Sequence, residues 1–176
     1  LEDDVLPVST FFHYCDELLE RYRNDERIGI VSGCNFIMNR RRAQHSYFFS
    51  RYNLIWGWAS WRRVWRHYDV TMSLYPEWRN LGGLKKISNS KRFNRYWYRT
   101  FDAAYAGNID TWDYQWTFAL WYQNMLSILP AINQTHNLGF GSDATHTTSD
   151  MPQYIHNSKP CNRICRSIFT IPNHVT

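Results

Sequence analysis

The chain has 176 residues, a length that suits one domain better than two. Hydrophobic residues make up 44% of it and charged residues 20%, which is enough apolar material for a core and excludes disorder throughout. The net charge of +5 identifies no class of partner by itself. The unusual feature is an aromatic content of 18%, which predicts either a large aromatic core or flat surfaces for a sugar or a base.

Helical and extended patterns alternate along the chain, which predicts an α/β domain. The helical segments have apolar residues three and four positions apart, and the extended segments are short β-branched or aromatic runs. In the first half of the chain we expect the end of a strand at 1–6, a helix at 9–24 with Ser9 as N-cap, a buried strand at 28–32, a strand or extended loop at 47–52 and a helix at 60–67. In the second half we expect a short element with a loop at 76–90, a helix at 91–106, a helix at 112–124 capped by Asp110 or Thr111, and a strand at 126–129. A polar loop at 133–149 and a basic wrapping or partly disordered tail at 151–176 follow.

The sequence contains no run of the roughly 20 apolar residues that a membrane helix needs, so we expect no transmembrane segment. The acidic start LEDDVLP is unlike a signal peptide and resembles the cut end of a buried strand, so we expect a piece of a longer protein. The cysteines are Cys15, Cys34, Cys161 and Cys165, and they lack a second pair at zinc spacing. Free thiols are predicted for them, and the alternative is two disulfides, which their number allows but their spacing does not demand.

Three consecutive acids, Glu2, Asp3 and Asp4, form the strongest local motif. Burying such a cluster in an apolar context is costly without a cation, and carboxylate oxygens suit Mg²⁺ or Mn²⁺. An acidic turn at the end of a strand in an open α/β sheet is a place for a metal-bound phosphate. The alternative is that the acids stabilise the positive N-terminus of the following helix.

Two further acids and one histidine are candidates for chemistry. Asp113 lies between Trp112 and Tyr114, and a carboxylate among aromatic rings can act as a general base. The alternative is a first-turn acid of a helix, and for Asp110 the capping interpretation is favoured. His146 lies in a polar segment, where a surface histidine is the more common case and a metal ligand the alternative.

Basic residues cluster in three places without demanding a nucleic-acid partner. The three consecutive arginines at 40–42 and the two lysines at 85–86 predict surfaces that face solvent. The segment KRFNRYWYR at 91–99 interleaves basic and aromatic residues, as nucleic-acid binders do. However, Phe93, Trp97 and Phe101 fall on one helical stripe, so core packing explains them first, and we expect no nucleic acid.

Taken in order, these motifs resemble the second half of a GT-A glycosyltransferase, as in the N-acetylglucosaminyltransferase I and family-two enzymes. Residues 1–33 resemble the region around the acidic metal motif, with an E-D-D turn, a helix with a Phe pair and a strand ending in Ser. The segment SRYNLIWGWASWRRVW resembles the Gly-Trp segment, TWDYQW resembles the W-D-D-W segment, and NLGFGSDATHT is similar to the ending of bacterial nucleotide-diphospho-sugar transferases. The resemblance covers about residues 1–148.

The resemblance implies a partial GT-A, Rossmann-like fold that starts at the acidic metal motif. Residues 1–150 would form the C-terminal half of the catalytic domain, followed by the tail at 151–176, and the nucleotide-binding half would precede them. It implies metal-dependent, inverting transfer of a sugar from a nucleotide-diphosphate donor to an acceptor hydroxyl, in the cytoplasm, with any membrane association supplied by other parts of the protein. The implied roles are Mn²⁺ or Mg²⁺ binding by Asp4 and His146, contacts to the ribose or sugar by Glu2 and Asp3, a sugar site lined by Gly57 and Trp58, and a base at Asp113 with Asp110 in reserve.

One departure concerns the base, because Tyr114 and Gln115 stand where the family has adjacent acids. Two other functions are consistent with the sequence. The aromatic content would suit a non-catalytic carbohydrate-binding module, whose sugar binding is indifferent to chelator and nucleotide. The positive charge would suit a nucleic-acid-binding domain, whose affinity falls steeply with salt.

Overall fold

A computed structural model describes residues 1–36 and 45–139, which form two compact units. Unit 1 contains the described residues up to Trp61 and from Leu126 onward, and unit 2 runs from Arg62 to Met125. Helices and a mixed sheet make the chain an α/β protein, as predicted. In the described ranges, no helix has the length and apolar character needed to span a bilayer. Three predicted features lie outside these ranges: the three arginines at 40–42, the end of the catalytic domain at 150 and the tail at 151–176.

Unit 1 is built on a four-stranded mixed sheet. The strands of the chain are β1 (Val5–Pro7), β2 (Ile28–Ser32), β3 (Tyr47–Ser50), β4 (Trp58–Ala59), β5 (Leu126–Pro130) and β6 (Thr135–Asn137), with the order β3-β5-β2-β4 in this sheet. The two central strands, β2 and β5, are parallel and buried at every position, which explains their near-continuous apolar sequences. The outer strands β3 and β4 are antiparallel to their neighbours, and β1 and β6 form a separate antiparallel pair.

Helix α1 (Phe11–Arg21) packs one face on this sheet. The buried face consists of Phe11, Tyr14, Cys15 and Leu18, which have the spacing of one helical stripe. Cys15 and Cys34 are free thiols, as predicted, and burial raises the pKa of each to about 12. Both thiols therefore stay protonated and unreactive at neutral pH. Cys161 and Cys165 lie outside the described residues.

Unit 2 is helical and has an aromatic core. Rings from three of its helices pack edge-to-face, with Phe101 wholly buried at the centre. Much of the aromatic content is therefore core, the first of the two interpretations above. The elements are α2 (Arg62–Trp65), α3 (Tyr75–Asn80), a 3-10 helix (Gly83–Lys86), α4 (Lys91–Tyr105) and α5 (Asp113–Tyr122).

Two boundary predictions for unit 1 are wrong. Helix α1 is preceded by Thr10 and not by Ser9, because the Thr10 hydroxyl donates to Gln134 Oε1 at 2.8 Å and is fixed by a distant residue. The expected strand at 1–6 is displaced, since β1 begins at Val5 and the acids precede it. In unit 2, the helix predicted at 60–67 is only the four residues of α2.

The prediction of a loop over 133–149 is wrong at its start, where β6 lies. Its sequence Thr-His-Asn is polar, but Thr135 and Asn137 are buried against β1 and neighbouring loops. Their polar groups are satisfied by specific partners: the Thr135 hydroxyl donates to the carbonyl of Trp56 at 2.7 Å. Hydrophobicity patterns do not detect a strand that is buried through hydrogen bonds.

Candidate functional site

The acids Glu2, Asp3 and Asp4 form a tight turn that leads into β1. The Glu2 carbonyl accepts a hydrogen bond from the amide of Val5 at 3.2 Å, which closes the turn. Glu2 and Asp4 are half-buried and Asp3 is exposed. The first turn of α1 contains no acid, and β1 separates that helix from the three acids. The three acids therefore do not belong to the first turn of that helix, and their alternative role at its N-terminus stays a prediction.

Asp4 is fixed against the chain that follows β6. Its carbonyl accepts a hydrogen bond from the amide of Leu138 at 2.7 Å. Its carboxylate lies so close to Gly139 that a side-chain carbon there would clash with Asp4 Oδ2. Asn137 Oδ1 accepts from the Gly139 amide at 2.6 Å and would be 3.0 Å from the same carbon. A carboxylate oxygen and a carboxamide oxygen therefore converge on Gly139.

Gly57 packs on β6 and on Leu1 and Val5, the two residues that flank the acidic turn. A side-chain carbon on Gly57 would lie 2.6 Å from Thr135 Cγ2 and 3.0 Å from Leu1 Cδ2. Its φ is +67°, a conformation that favours glycine, and its carbonyl accepts from the Gly33 amide at 2.6 Å. The absence of a side chain at this position therefore lets the Gly-Trp segment lie next to the acidic turn.

Trp58 lines a groove of about 650 Å³ in unit 1. The indole shares this groove with Leu1, with Phe12, which is 64% exposed, and with the polar side chains of His13 and Asp16. The volume is within the range of small-molecule sites. Flat apolar rings with a few polar groups suit a ligand that has both apolar faces and hydroxyls, such as a sugar.

The oxygen atoms at the acidic turn are compatible with a divalent cation. Asp4 and Asn137 offer hard oxygen ligands of the kind that Mg²⁺ and Mn²⁺ bind. Within residues 1–36 and 45–139, no group of three or more His, Cys, Asp or Glu side chains could hold a metal ion by itself. Mg²⁺ sites often use one or two carboxylates and complete the set with substrate phosphates, so this partial set fits that kind of site. The second predicted ligand, His146, lies outside the described residues.

Asp113 is the first residue of α5 in unit 2. The Thr111 hydroxyl donates to its Oδ1, and the Thr111 oxygen lies 3.4 Å from the Asp113 amide. The Asp113 side chain is half-buried, whereas Asp110 is exposed in the preceding turn. Asp113 is thus a first-turn acid, a placement that leaves its role as a base open. The expected N-cap at Asp110 is wrong, since Trp112 precedes the helix, whereas the Thr111 hydroxyl does accept from the amide of its first residue.

An aromatic stack lies beside Asp113. The rings of Trp65 and Tyr68 are parallel within 3° at 4.7 Å, and Trp116 lies 5.0 Å from Trp65. Trp65 is 44% exposed, while Trp116 is fully buried beneath it. Burial raises the pKa of Tyr68, and the negative charge of Asp113 raises it further, so the Tyr68 hydroxyl remains a hydrogen-bond donor near that carboxylate. A flat surface next to a carboxylate is what a base acting on a sugar hydroxyl needs.

The two residues after Asp113 do not supply a second acid. Gln115 is 5% exposed, and its Oε1 lacks a hydrogen-bond partner in the described part of the chain. Burial raises the pKa of Tyr114, and the charge and hydrogen bond of the Tyr96 hydroxyl raise it further. Asp113 is therefore the one carboxylate that α5 offers.

The predicted site residues fall into three groups. The acidic turn and the Gly-Trp segment are brought together in unit 1. The two candidate bases, Asp113 and Asp110, lie in unit 2. The predicted metal ligand His146 lies outside the described residues. Sequence reasoning missed Asn137 and Gly139, because their role depends on a strand that it did not detect. It also missed the pairing of Trp65 with Tyr68, because α2 ends at Trp65 and Tyr68 lies in the turn that follows.

No family model matches the sequence, and no curated protein or solved structure matches it either. The resemblance of the motifs to GT-A glycosyltransferases therefore stays a prediction.

Proposed function

We propose that this protein is a metal-dependent glycosyltransferase of the GT-A type, which moves a sugar from a nucleotide-diphosphate donor to an acceptor hydroxyl with inversion. Unit 1 carries donor binding, through the acidic turn and the Gly-Trp segment. Unit 2 carries the base, Asp113. The observation that carries the proposal is the close packing of Gly57 on Leu1 and Val5, which flank the acidic turn, because two motifs that are more than 50 residues apart in sequence become neighbours.

In the proposed reaction, the acceptor oxygen attacks the anomeric carbon as its proton passes to the carboxylate of Asp113, and the bond from that carbon to the diphosphate breaks. A divalent cation bound at Asp4 would neutralise the charge that develops on the departing diphosphate. Trp58 would contact the transferred sugar, and the half-exposed face of Trp65 would contact the acceptor. No covalent intermediate with the protein is required.

We expect that Asp4→Asn weakens the Mn²⁺-dependent binding of nucleoside diphosphate by about tenfold or more, because it removes a charged ligand of the cation. Calorimetric titration of UDP and of GDP, with Mn²⁺ and with chelator, measures this effect. The protein should include the upstream half that the resemblance implies. The control is Glu26→Gln, which removes an exposed carboxylate elsewhere in unit 1.

Binding that depends on Mn²⁺ and on Asp4, but not on Glu26, would support the donor site and identify the nucleotide. The absence of nucleotide binding by the folded protein would count against a transferase. The second candidate function, a carbohydrate-binding module, is favoured by one observation: the stack of Trp65 on Tyr68 presents a half-exposed ring. That function predicts sugar binding that neither chelator nor nucleotide changes.

A further inference from the structure

A basic groove of about 500 Å³ follows the exposed face of α4 in unit 2. Arg92, Arg95 and Arg99 line it at spacings of three and four residues, which places them on one side of the helix. Tyr96, which is 57% exposed, and Ile109 contribute apolar surface to the same groove. We refer to these five residues as the α4 groove.

The net charge of the chain comes from the unit that contains this groove. Unit 2 has ten lysines and arginines against five acids, a balance of +5. The remainder of the chain has ten of each, so its charges cancel. An anionic ligand is therefore attracted to unit 2 in particular.

The three arginines of the α4 groove are not neutralised within the structure. Among the described residues, no carboxylate lies within ion-pair distance of Arg92, Arg95 or Arg99. The acid on the same helix, Asp102, is bound instead by Arg79, with Nε to Oδ1 at 2.7 Å. Like charges one helical turn apart repel, so this arrangement lowers the stability of α4 unless an anion offsets it.

We propose that the α4 groove binds the diphosphate group of a ligand. Guanidinium groups bind phosphate oxygens through paired hydrogen bonds, and three of them match the charge of a diphosphate. The volume of the groove is that of a small-molecule site. The exposed ring of Tyr96 would contact the group attached to the diphosphate. A nucleic acid fits less well, because the arginines occupy a single face of a single helix.

The position of the groove suggests which ligand it receives. It extends to Ile109, next to Asp110, and Tyr96 is close enough to Tyr114, the neighbour of Asp113, to raise the pKa of the Tyr114 hydroxyl. If the proposed transferase function holds, on which this step rests, the ligand is an acceptor that carries a diphosphate. Binding of a diphosphate to the groove does not itself depend on that function.

The test is calorimetric titration of inorganic pyrophosphate into the protein in the presence of chelator, so that no divalent cation bridges pyrophosphate to the acidic turn. We expect the double variant Arg95→Gln/Arg99→Gln to lower the affinity by about tenfold for each arginine. The matched control is Arg62→Gln/Arg66→Gln, which removes the same charge from two exposed arginines of unit 2 outside the groove. Asp4→Asn should leave this binding unchanged, which separates a failure of the groove from a failure of the proposed function.

Two further probes identify the source of the phosphoryl group. The first probe is adsorption to phosphatidylcholine vesicles that contain phosphatidic acid. If the groove variant loses this adsorption and the control retains it, the proposal is supported and the source is a lipid headgroup. Binding of pyrophosphate without adsorption would support it with a soluble ligand. The proposal is overturned if the wild type does not bind pyrophosphate, if both double variants lose it equally, or if only an oligothymidylate binds. Circular dichroism of each variant establishes that it is folded.

Discussion

Replacing Asp113 by Asn is expected to lower turnover by about 10²- to 10⁴-fold while leaving donor binding unchanged, because a general base contributes that much and acts on the acceptor. The substitution preserves the shape of the side chain and its hydrogen bond with the Thr111 hydroxyl, since the amide oxygen can still accept. What it removes is the ability to take a proton from the attacking hydroxyl.

The matched control is Asp110→Asn, three residues earlier. Asp110 is exposed, whereas Asp113 is half-buried beside the stack of Trp65 and Tyr68. The control should retain turnover, measured as the release of nucleoside diphosphate with acceptor and with water alone. Titration of donor into both variants separates binding from chemistry. If Asp113→Asn turned over at the wild-type rate, or if the control lost equal activity, the assignment of the base would be wrong.

The elements that local sequence determines were predicted closely. Helix α4 was expected at 91–106 and lies at Lys91–Tyr105, because its signals are local: the Ser90 side chain accepts from the amide of Phe93 at 3.3 Å, and the apolar stripe has helical spacing. The strands β2 and β5 were equally clear, since strands buried on both faces are continuous apolar runs.

The elements that distant residues determine were not predicted. The residue that precedes α1 is fixed by Gln134, which lies more than a hundred positions away. Strand β6 is polar in sequence and is buried because its partners in β1 and at Trp56 satisfy it. The same limit applies to the candidate site, where Asn137 joins Asp4 only because β6 pairs with β1.

Replacing Gly57 by Ala is expected to destabilise unit 1 by about 3 kcal/mol, because it combines backbone strain with overpacking. The φ of +67° alone costs an alanine about 1 kcal/mol, and the new methyl group would lie 2.6 Å from Thr135 Cγ2, well inside van der Waals contact. The change should also weaken Mn²⁺-dependent donor binding, since the methyl group would displace Leu1 and the acidic turn that follows it.

The control that separates the cost of backbone strain from the cost of overpacking is Gly107→Ala in unit 2. Gly107 has a φ of +73°, but nothing lies within 4 Å of a side-chain carbon there, so this variant should lose only the conformational term of about 1 kcal/mol. Urea unfolding of both variants measures the difference. Equal destabilisation of the two would mean that Gly57 is not in close contact with Thr135.

The contact itself is tested by adding Thr135→Ser to Gly57→Ala. Serine keeps the hydroxyl that donates to the Trp56 carbonyl and lacks the Cγ2 atom that the alanine methyl would strike. The double variant should therefore recover most of the packing loss, and a double-mutant cycle should give a favourable coupling between the two positions. Recovery of donor binding together with stability would show that this glycine matters to the site because it lets the Gly-Trp segment lie against the acidic turn. Recovery of stability without donor binding would show that the packing and the donor site are independent.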